Sequence, residues 1–294
     1  MIQKDKLPNF LIAGAPRCGS TTLFRALQHV PGVFMPENKE PHYFAADRVG
    51  SGPGQEGGST VVDLSDYLSL FSGPLIEGAS LRGECSIGYL HYWEYTISRI
   101  LKELGSDVKV IFTLREPVRR AYSSYLLHRK VGSESLSFSD AVSNEVEVER
   151  ERDQCWFGFQ YRKIGLYADG IKAFKEAFSN VHVVIFEEFV RDPKLGMSEL
   201  LKFLEVESCE VDFSFLVKQH NAALIDRFPF LVRVLNSISR RLPFSDHVVQ
   251  AMIKLQKYRP RLSSDLEDRL RVYYKADVAR LEEVTGKDLS LWGY

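Results

Sequence analysis

Two stretches of this 294-residue chain combine residue types and spacings that suit chemistry on a phosphate-like anion. The first is PRCGSTT, residues 16–22. Arg17 offers a planar fork of donors, Gly19 lets a ligand approach the backbone closely, and Ser20, Thr21 and Thr22 carry hydroxyls. The second is REPVRRAYSSY, residues 115–125, where Ser123 follows Arg115 by eight positions. With Arg115 at a strand end and Ser123 about two turns into a helix, both side chains can reach one anion. Between them lies PENKEPHYF, residues 36–44, whose two prolines constrain the backbone around Lys39 and Glu40.

The elements around these residues explain how they would be presented. Residues 10–12 are an apolar run with the length of a buried strand, and Gly14, Ala15 and Pro16 break it. From Thr22 the pattern turns helical, with Leu23, Ala26, Leu27 and Val30 sharing one face. A strand, a tight loop and a helix N-terminus aim free N–H groups and the positive end of a helix dipole at one point. Gly14 and Gly19 are five apart, as in GxxxxGK[ST], yet Ser20 stands where that motif needs lysine, so a nucleoside-triphosphate loop is disfavoured. A glycine turn before an ordinary helix is the alternative from this stretch alone.

Residues 108–114, VKVIFTL, predict a strand buried on both faces, and residues 181–186, VHVVIF, a second. Helices are expected over 64–71, capped by Ser65 or Asp66, and over 95–104, ending at Gly105. Others are expected from Val118, over 137–152 with EVEVERERD on its solvated side, over 167–178, from Asp192-Pro193 to Leu204, and over 263–284. Residues 84–89 read as a strand end and turn, and residues 213–261 as mixed and mostly helical. Residues 48–60, RVGSGPGQEGGST, are too glycine-rich to pack a core and read as a mobile loop over a site or as a surface linker. Alternating strands and helices imply an α/β fold with a central, mostly parallel sheet flanked by helices in three layers, and one domain over 1–294. Ligands of such sheets sit at the carboxyl ends of the strands, which is where Arg17 and Arg115 fall.

A net charge of −1 argues against nucleic-acid binding through bulk positive charge. No apolar run approaches the ~20 residues of a membrane span, and the short apolar patch at residues 10–12 reads as strand and not as a signal peptide. The four cysteines, Cys18, Cys85, Cys155 and Cys209, form no CxxC pair, so neither a metal site nor a disulfide framework is expected, and a reduced cytoplasmic setting is the default.

Residues 16–21, Pro-Arg-Cys-Gly-Ser-Thr, resemble the 5′-phosphosulfate loop of the sulfotransferases. Residues 115–125 resemble the segment with which that family holds a 3′-phosphate through an Arg and a Ser. KEPHYF at 39–44 resembles a segment of the heparan-sulfate-type members and their bacterial relatives. GLYADGIKAF from Gly165, the stretch 186–204 and the ending YYKADVARLEEVTGKDLSLWGY are similar to later family segments, so the resemblance covers most of the chain. It implies a P-loop-like fold and a metal-free, in-line transfer of a sulfuryl group from 3′-phosphoadenosine 5′-phosphosulfate (PAPS) to an acceptor hydroxyl or amine, leaving the bisphosphate PAP. It also implies cofactor contacts by Arg17, Cys18, Gly19, Ser20, Thr21, Thr22, Arg115, Ser123, Tyr167 and Lys218, the last in KQHN at 218–221. Cys18 would contribute its backbone N–H, although a helix N-terminus would lower its thiol pKa.

Arg17 stands where many members have lysine. It can stabilise charge on the leaving phosphate but cannot donate a proton near neutral pH. Glu40 matches the catalytic glutamate of the heparan-type enzymes, with Tyr43 and Phe44 expected to dry it and raise its pKa. His91 lies about where cytosolic members carry a catalytic histidine, and is the rival base. Cys85 replaces the lysine that heparan-type members carry after a glutamate matching Glu84, which counts against heparan-like glycan recognition. The acceptor, a small molecule, lipid or glycan, and the oligomeric state are not written in the sequence. An inactive sulfotransferase-like nucleotide-binding module and a P-loop kinase are the alternative readings.

Overall fold

Strands β1 (Phe10–Ile12), β2 (Val33–Phe34), β3 (Leu81–Cys85), β4 (Lys109–Leu114) and β5 (Val181–Ile185) pair in parallel in the order β2-β3-β1-β4-β5. The computed structural model describes residues 7–49, 60–73, 76, 78–206 and 261–294, and the backbone of 225–226 and 257–258. There β6 (Ile225–Asp226) pairs antiparallel with β7 (Lys257–Tyr258). Residues 50–59 of the glycine-rich stretch, most of the segment 213–261 and Lys218 lie outside the described residues. Around the sheet run α1 (Ser20–Leu27), α2 (Leu64–Ser69), α3 (Trp93–Leu104), α4 (Pro117–Val131), α5 (Phe138–Ala141), α6 (Asn144–Arg152), α7 (Ala168–Ala177), α8 (Phe186–Arg191), α9 (Pro193–Phe203) and α10 (Ser264–Thr285).

The two inner strands are apolar because both their faces are covered. Phe10, Leu11 and Ile12 are fully buried, as are Val110, Ile111, Phe112 and Leu114. Pairing between β1 and β4 starts at Phe10↔Lys109 and continues past the end of β1. Ala13 N donates to Ile111 O at 2.8 Å, Thr113 N to Gly14 O at 2.7 Å and Ala15 N to Thr113 O at 2.8 Å. The chain after β1 turns towards β2 and the chain after β4 towards β5, on the other side. The two central strands therefore flank the point where the winding reverses, and a crevice opens beyond their carboxyl ends.

Local chemistry sets the helix ends. Glu116 caps α4 by accepting from Val118 N (3.1 Å) and Arg119 N (2.7 Å), with Pro117 in the first turn. Asp192 caps α9 through Leu195 N. The helix expected over 137–152 is instead two, because Ser143 accepts from Val146 N and starts α6 afresh. Its acidic run is not all solvated either: Glu147 is fully buried, accepting from Arg162 N (2.6 Å) and Arg162 Nε (3.1 Å). The cap of α2 is Asp63, not Ser65 or Asp66, and its side chain makes no capping bond. A short helix, α8, follows β5 where the sequence had shown only the strand's end.

Packing between β1 and β3 depends on one missing side chain. Phe10 lies opposite Gly83, and a Cβ there would fall 2.1 Å from the Phe10 ring. Gly83→Ala must displace a fully buried ring inside a close-packed sheet, which costs about 1–3 kcal/mol. Denaturant unfolding should show that loss, and Phe10→Leu in the same chain should recover part of it. A Gly83→Ala protein as stable as the parent would contradict this packing.

Candidate active site

Arg17, the first residue past Pro16, has a left-handed backbone (φ 66°), and Gly19 follows with φ 90° at the cap of α1. No side chain caps this helix, so its first N–H groups point into the loop. A Cβ on Gly19 would lie 2.8 Å from the Phe186 ring, so only glycine fits. The loop is thus a cradle of backbone donors at a helix N-terminus, a fit for an anionic group. Thr21 is exposed and Thr22 half-buried beside it, while Ser20 and Cys18 are buried.

The two anion motifs converge here. Arg17 Nε donates to Ser123 Oγ at 3.3 Å, and Arg115 Nη1 donates to the Arg17 carbonyl at 3.3 Å. Arg115 is braced from behind. Its guanidinium lies 4.8 Å from the Phe186 ring centre, and its Nε is 4.0 Å from Glu187 Oε1. Glu187 also accepts from Glu116 N (3.2 Å) and Trp292 Nε1 (3.1 Å), which ties in the chain's closing tryptophan.

Tyr167 is fully buried, and its hydroxyl donates to Arg115 O at 3.0 Å and lies 4.0 Å from Cys18 Sγ. Asp277 of α10 holds this tyrosine by accepting from Tyr167 N at 2.8 Å. Burial pushes the Cys18 thiol up to about 12, overriding nearby Arg120 and Arg115, so the helix terminus does not activate it as the sequence suggested.

Glu40 is nearly buried and doubly engaged. Its Oε1 pairs with Lys39 Nζ, and its Oε2 lies 3.4 Å from His42 Nε2. Burial pulls its pKa up, but His42 and Lys39 outweigh burial and the net direction is down. The expectation of a raised pKa from Tyr43 and Phe44 therefore fails. Those rings face elsewhere: Tyr43 stacks on Tyr67 at 4.3 Å and Phe44 packs on Tyr67 and Tyr89. Lys39 and His42 were missed by sequence reasoning, although they flank Glu40 in KEPHYF. The bend that brings His42 back is its left-handed φ of 50°.

One thiol links this acid to the loop. Cys85, next to β1 through its pairing with Ile12, meets both the Ser20 hydroxyl and the Lys39 ammonium. So the Cys85 thiol, the Lys39 ammonium and the Glu40 carboxylate influence one another electrostatically, with the Ser20 hydroxyl beside the thiol. His91 sits apart, stacked on Phe157 at 5.8 Å, and burial lowers its pKa to about 4. His42 packs on the edge of the same Phe157 ring at 5.9 Å. Among the described residues no group of three or more His, Cys, Asp or Glu could hold a metal, and no helix is long and apolar enough to cross a membrane.

With this geometry in hand, comparison with known proteins is decisive. A family model described as a sulfotransferase domain matches residues 7–224. The chain belongs to the sulfotransferase family. A crystal structure of a sulfotransferase from Alicyclobacillus acidocaldarius shares the fold with a TM-score of 0.76 at 30% identity, covering 98% of this chain and 99% of that one. Carbohydrate sulfotransferase 15 of Mus musculus is 23% identical over 249 residues, and its Homo sapiens counterpart 21% over 249; each match covers 68% of this chain and 44% of the relative. The chain thus spans less than half the length of these curated relatives. The sequence expectation of a sulfotransferase with a central parallel sheet flanked by helices holds.

A second carboxylate near the site is held back by burial. Glu84 is fully buried with the Tyr89, Tyr67 and Ser86 hydroxyls around it, and burial, against those hydroxyls, pushes it up to about 7. Between its ordinary value of 4.5 and about 7 the folded chain holds a proton that the unfolded chain has lost. Stability from this group is therefore largest at low pH and falls as pH rises to about 7. Glu84→Gln should flatten that fall and gain up to about 3 kcal/mol near pH 8. Denaturant unfolding of both proteins at several pH values tests this. Their difference removes the contributions of His91, His128 and His182, whose lowered values act in the opposite direction.

Proposed function

We propose that this chain transfers a sulfuryl group from PAPS to an acceptor hydroxyl or amine. The observation that carries the reading is the meeting of Arg17, Ser123 and Arg115 at one uncapped helix terminus, with a buried acid linked to it through Cys85 and Lys39. When bound, PAPS supplies the activated sulfuryl group and a good phosphate leaving group. The loop N–H groups and the Ser20, Thr21 and Thr22 hydroxyls hold the 5′ side, with Cys18 contributing its backbone. Arg115 and Ser123 hold the 3′-phosphate, and Tyr167 orients Arg115 through its carbonyl. Arg17 stabilises the negative charge that grows on the leaving phosphate, an interaction strongest in the transition state.

Glu40 is the base in this reading. It is ionised at neutral pH, and Lys39 and His42 fix both its oxygens, so its accepting lone pairs are oriented before the acceptor arrives. The printed names of the curated relatives favour a carbohydrate hydroxyl as the first acceptor to try, ahead of phenols, lipids and small alcohols. Cys85 in place of a lysine argues against the heparan mode of glycan binding. A cytoplasmic setting is part of the proposal, on the unpaired spacing of the cysteines.

Two measurements test the assignments. Arg115→Ala should weaken PAP about ten- to a hundred-fold while adenosine 5′-phosphate, lacking the 3′ group, loses much less. Equal losses in a calorimetric titration would remove Arg115 from the 3′ site. Glu40 and His91 both titrate below neutrality, so a pH–rate profile does not choose between them, whereas substitution does. Glu40→Gln should lower kcat by ~10²–10⁴-fold with PAP affinity little changed, and His91→Asn should cost far less. Wild-type turnover by Glu40→Gln beside a collapsed rate for His91→Asn would transfer the base to His91.

A further inference from the structure

Arg120 is the largest fully buried side chain of the described residues. It lies on α4, five residues after Arg115 and three before Ser123. Its Nη2 donates to the Tyr161 carbonyl, while Nε and Nη1 have no hydrogen-bond partner. No carboxylate pairs with it among the described residues. A buried cation in this state is expensive, because lost hydration is not replaced.

No carboxylate touches it among the described residues, although Glu187, Glu116, Glu147 and Glu134 act on the same neighbours. Cys18, Tyr167, Tyr274, His91 and His128 all feel its charge, and burial keeps each of them neutral at physiological pH. Cys18, in the loop of residues 16–22, and Tyr167, whose hydroxyl lies 4.0 Å from its sulfur, are both within reach of this charge. The open side of that loop carries the backbone donors. Through buried groups such as Cys18 and Tyr167, charge acts over several ångströms with less screening than in water.

We propose that Arg120 is a buried electrostatic anchor for the nucleotide, whose charge is neutralised only when phosphate groups occupy the loop in front of it. The inference rests on the PAPS reading above. Arg120 touches no ligand; it acts through the loop as a positioning residue, and the free protein carries its cost as a standing loss of stability.

Arg120→Gln, which keeps a donor for Tyr161 O and removes the charge, and Arg120→Lys, which keeps the charge, separate this from a structural role. Without ligand, the full-length Gln variant should melt at or above the wild-type temperature. In titrations it should bind PAP at least about tenfold more weakly, adenosine 5′-phosphate less affected, and adenosine unchanged. The Lys variant should retain most of the PAP affinity. Equal losses for PAP and adenosine, a Gln variant with wild-type PAP affinity, or a Gln variant that fails to fold would each overturn the proposal. Wild-type protein that ignores PAP would overturn the nucleotide reading together with it; wild-type binding with an unaffected Gln variant overturns the anchor alone.

Discussion

Everything at this site depends on the hydrogen-bond ladder between β1 and β4 and its continuation past the strand end through Ala13, Gly14 and Ala15. Parallel neighbours end on the same side of a sheet, so the loops that leave them emerge together. The extra rungs at Ile111 and Thr113 carry this alignment up to the residue before Pro16. Arg17 and Arg115, 98 positions apart in sequence, therefore start from adjacent points, and the bond from Arg115 Nη1 to Arg17 O closes the pair. Arg17 and Arg115 carry like charges, so bringing them to adjacent points has an electrostatic cost when no anion is bound. The fold absorbs that cost by fixing both backbones with apolar burial that the arginines do not share.

The brace behind the arginines follows a consistent logic. Glu116 and Glu187 lie close to Arg115, yet each is already occupied: Glu116 accepts two N–H groups of α4 and the Tyr294 hydroxyl, and Glu187 accepts Glu116 N and Trp292 Nε1. A carboxylate satisfied by its own donors competes weakly for a neighbouring cation. Arg115 keeps its contact with Glu187 at the long distance of 4.0 Å, which leaves the guanidinium available to the crevice. The chain's last helix contributes through Asp277, which fixes Tyr167 and so the Arg115 carbonyl. The C-terminal elements thus serve the loops at the other end of the sequence.

The anion cradle was legible in the sequence because its parts are local. A strand of three apolar residues, a Gly-Ala-Pro break and a helical period are written within residues 10–30, and Arg115 to Ser123 spans one turn-and-helix. The strand VKVIFTL was equally plain, since burial on both faces forces continuous apolar residues. What the sequence hid were interactions between distant side chains. Nothing in KEPHYF shows that Tyr43 and Phe44 turn towards Tyr67 and Tyr89, or that Glu40 is held by both Lys39 and His42. The Glu40 pKa runs against the sequence expectation for that reason, because residues adjacent in sequence turn their rings elsewhere in space. Cys18 failed in the opposite sense, because its burial, invisible locally, outweighs its position at a helix terminus.

In the proposed reading, with Glu40 as the base, its surroundings trade base strength for order. Two cationic or donor partners lower the acid's basicity, which by itself slows proton abstraction. They also remove its rotational freedom, and a proline on one side with a left-handed His42 beyond it removes that of the backbone. Lys39 is the adjustable member. It contacts Cys85 as well as Glu40, and Cys85 contacts Ser20 of the cradle, so Lys39 lies between the acid and the anion's seat. Negative charge arriving at the cradle draws on the same ammonium that holds Glu40 ionised and weakly basic. In the proposed reading, negative charge at the cradle repels the carboxylate and so raises its affinity for a proton when the donor is in place. Lys39 limits that rise, because its ammonium stays paired with Glu40 Oε1.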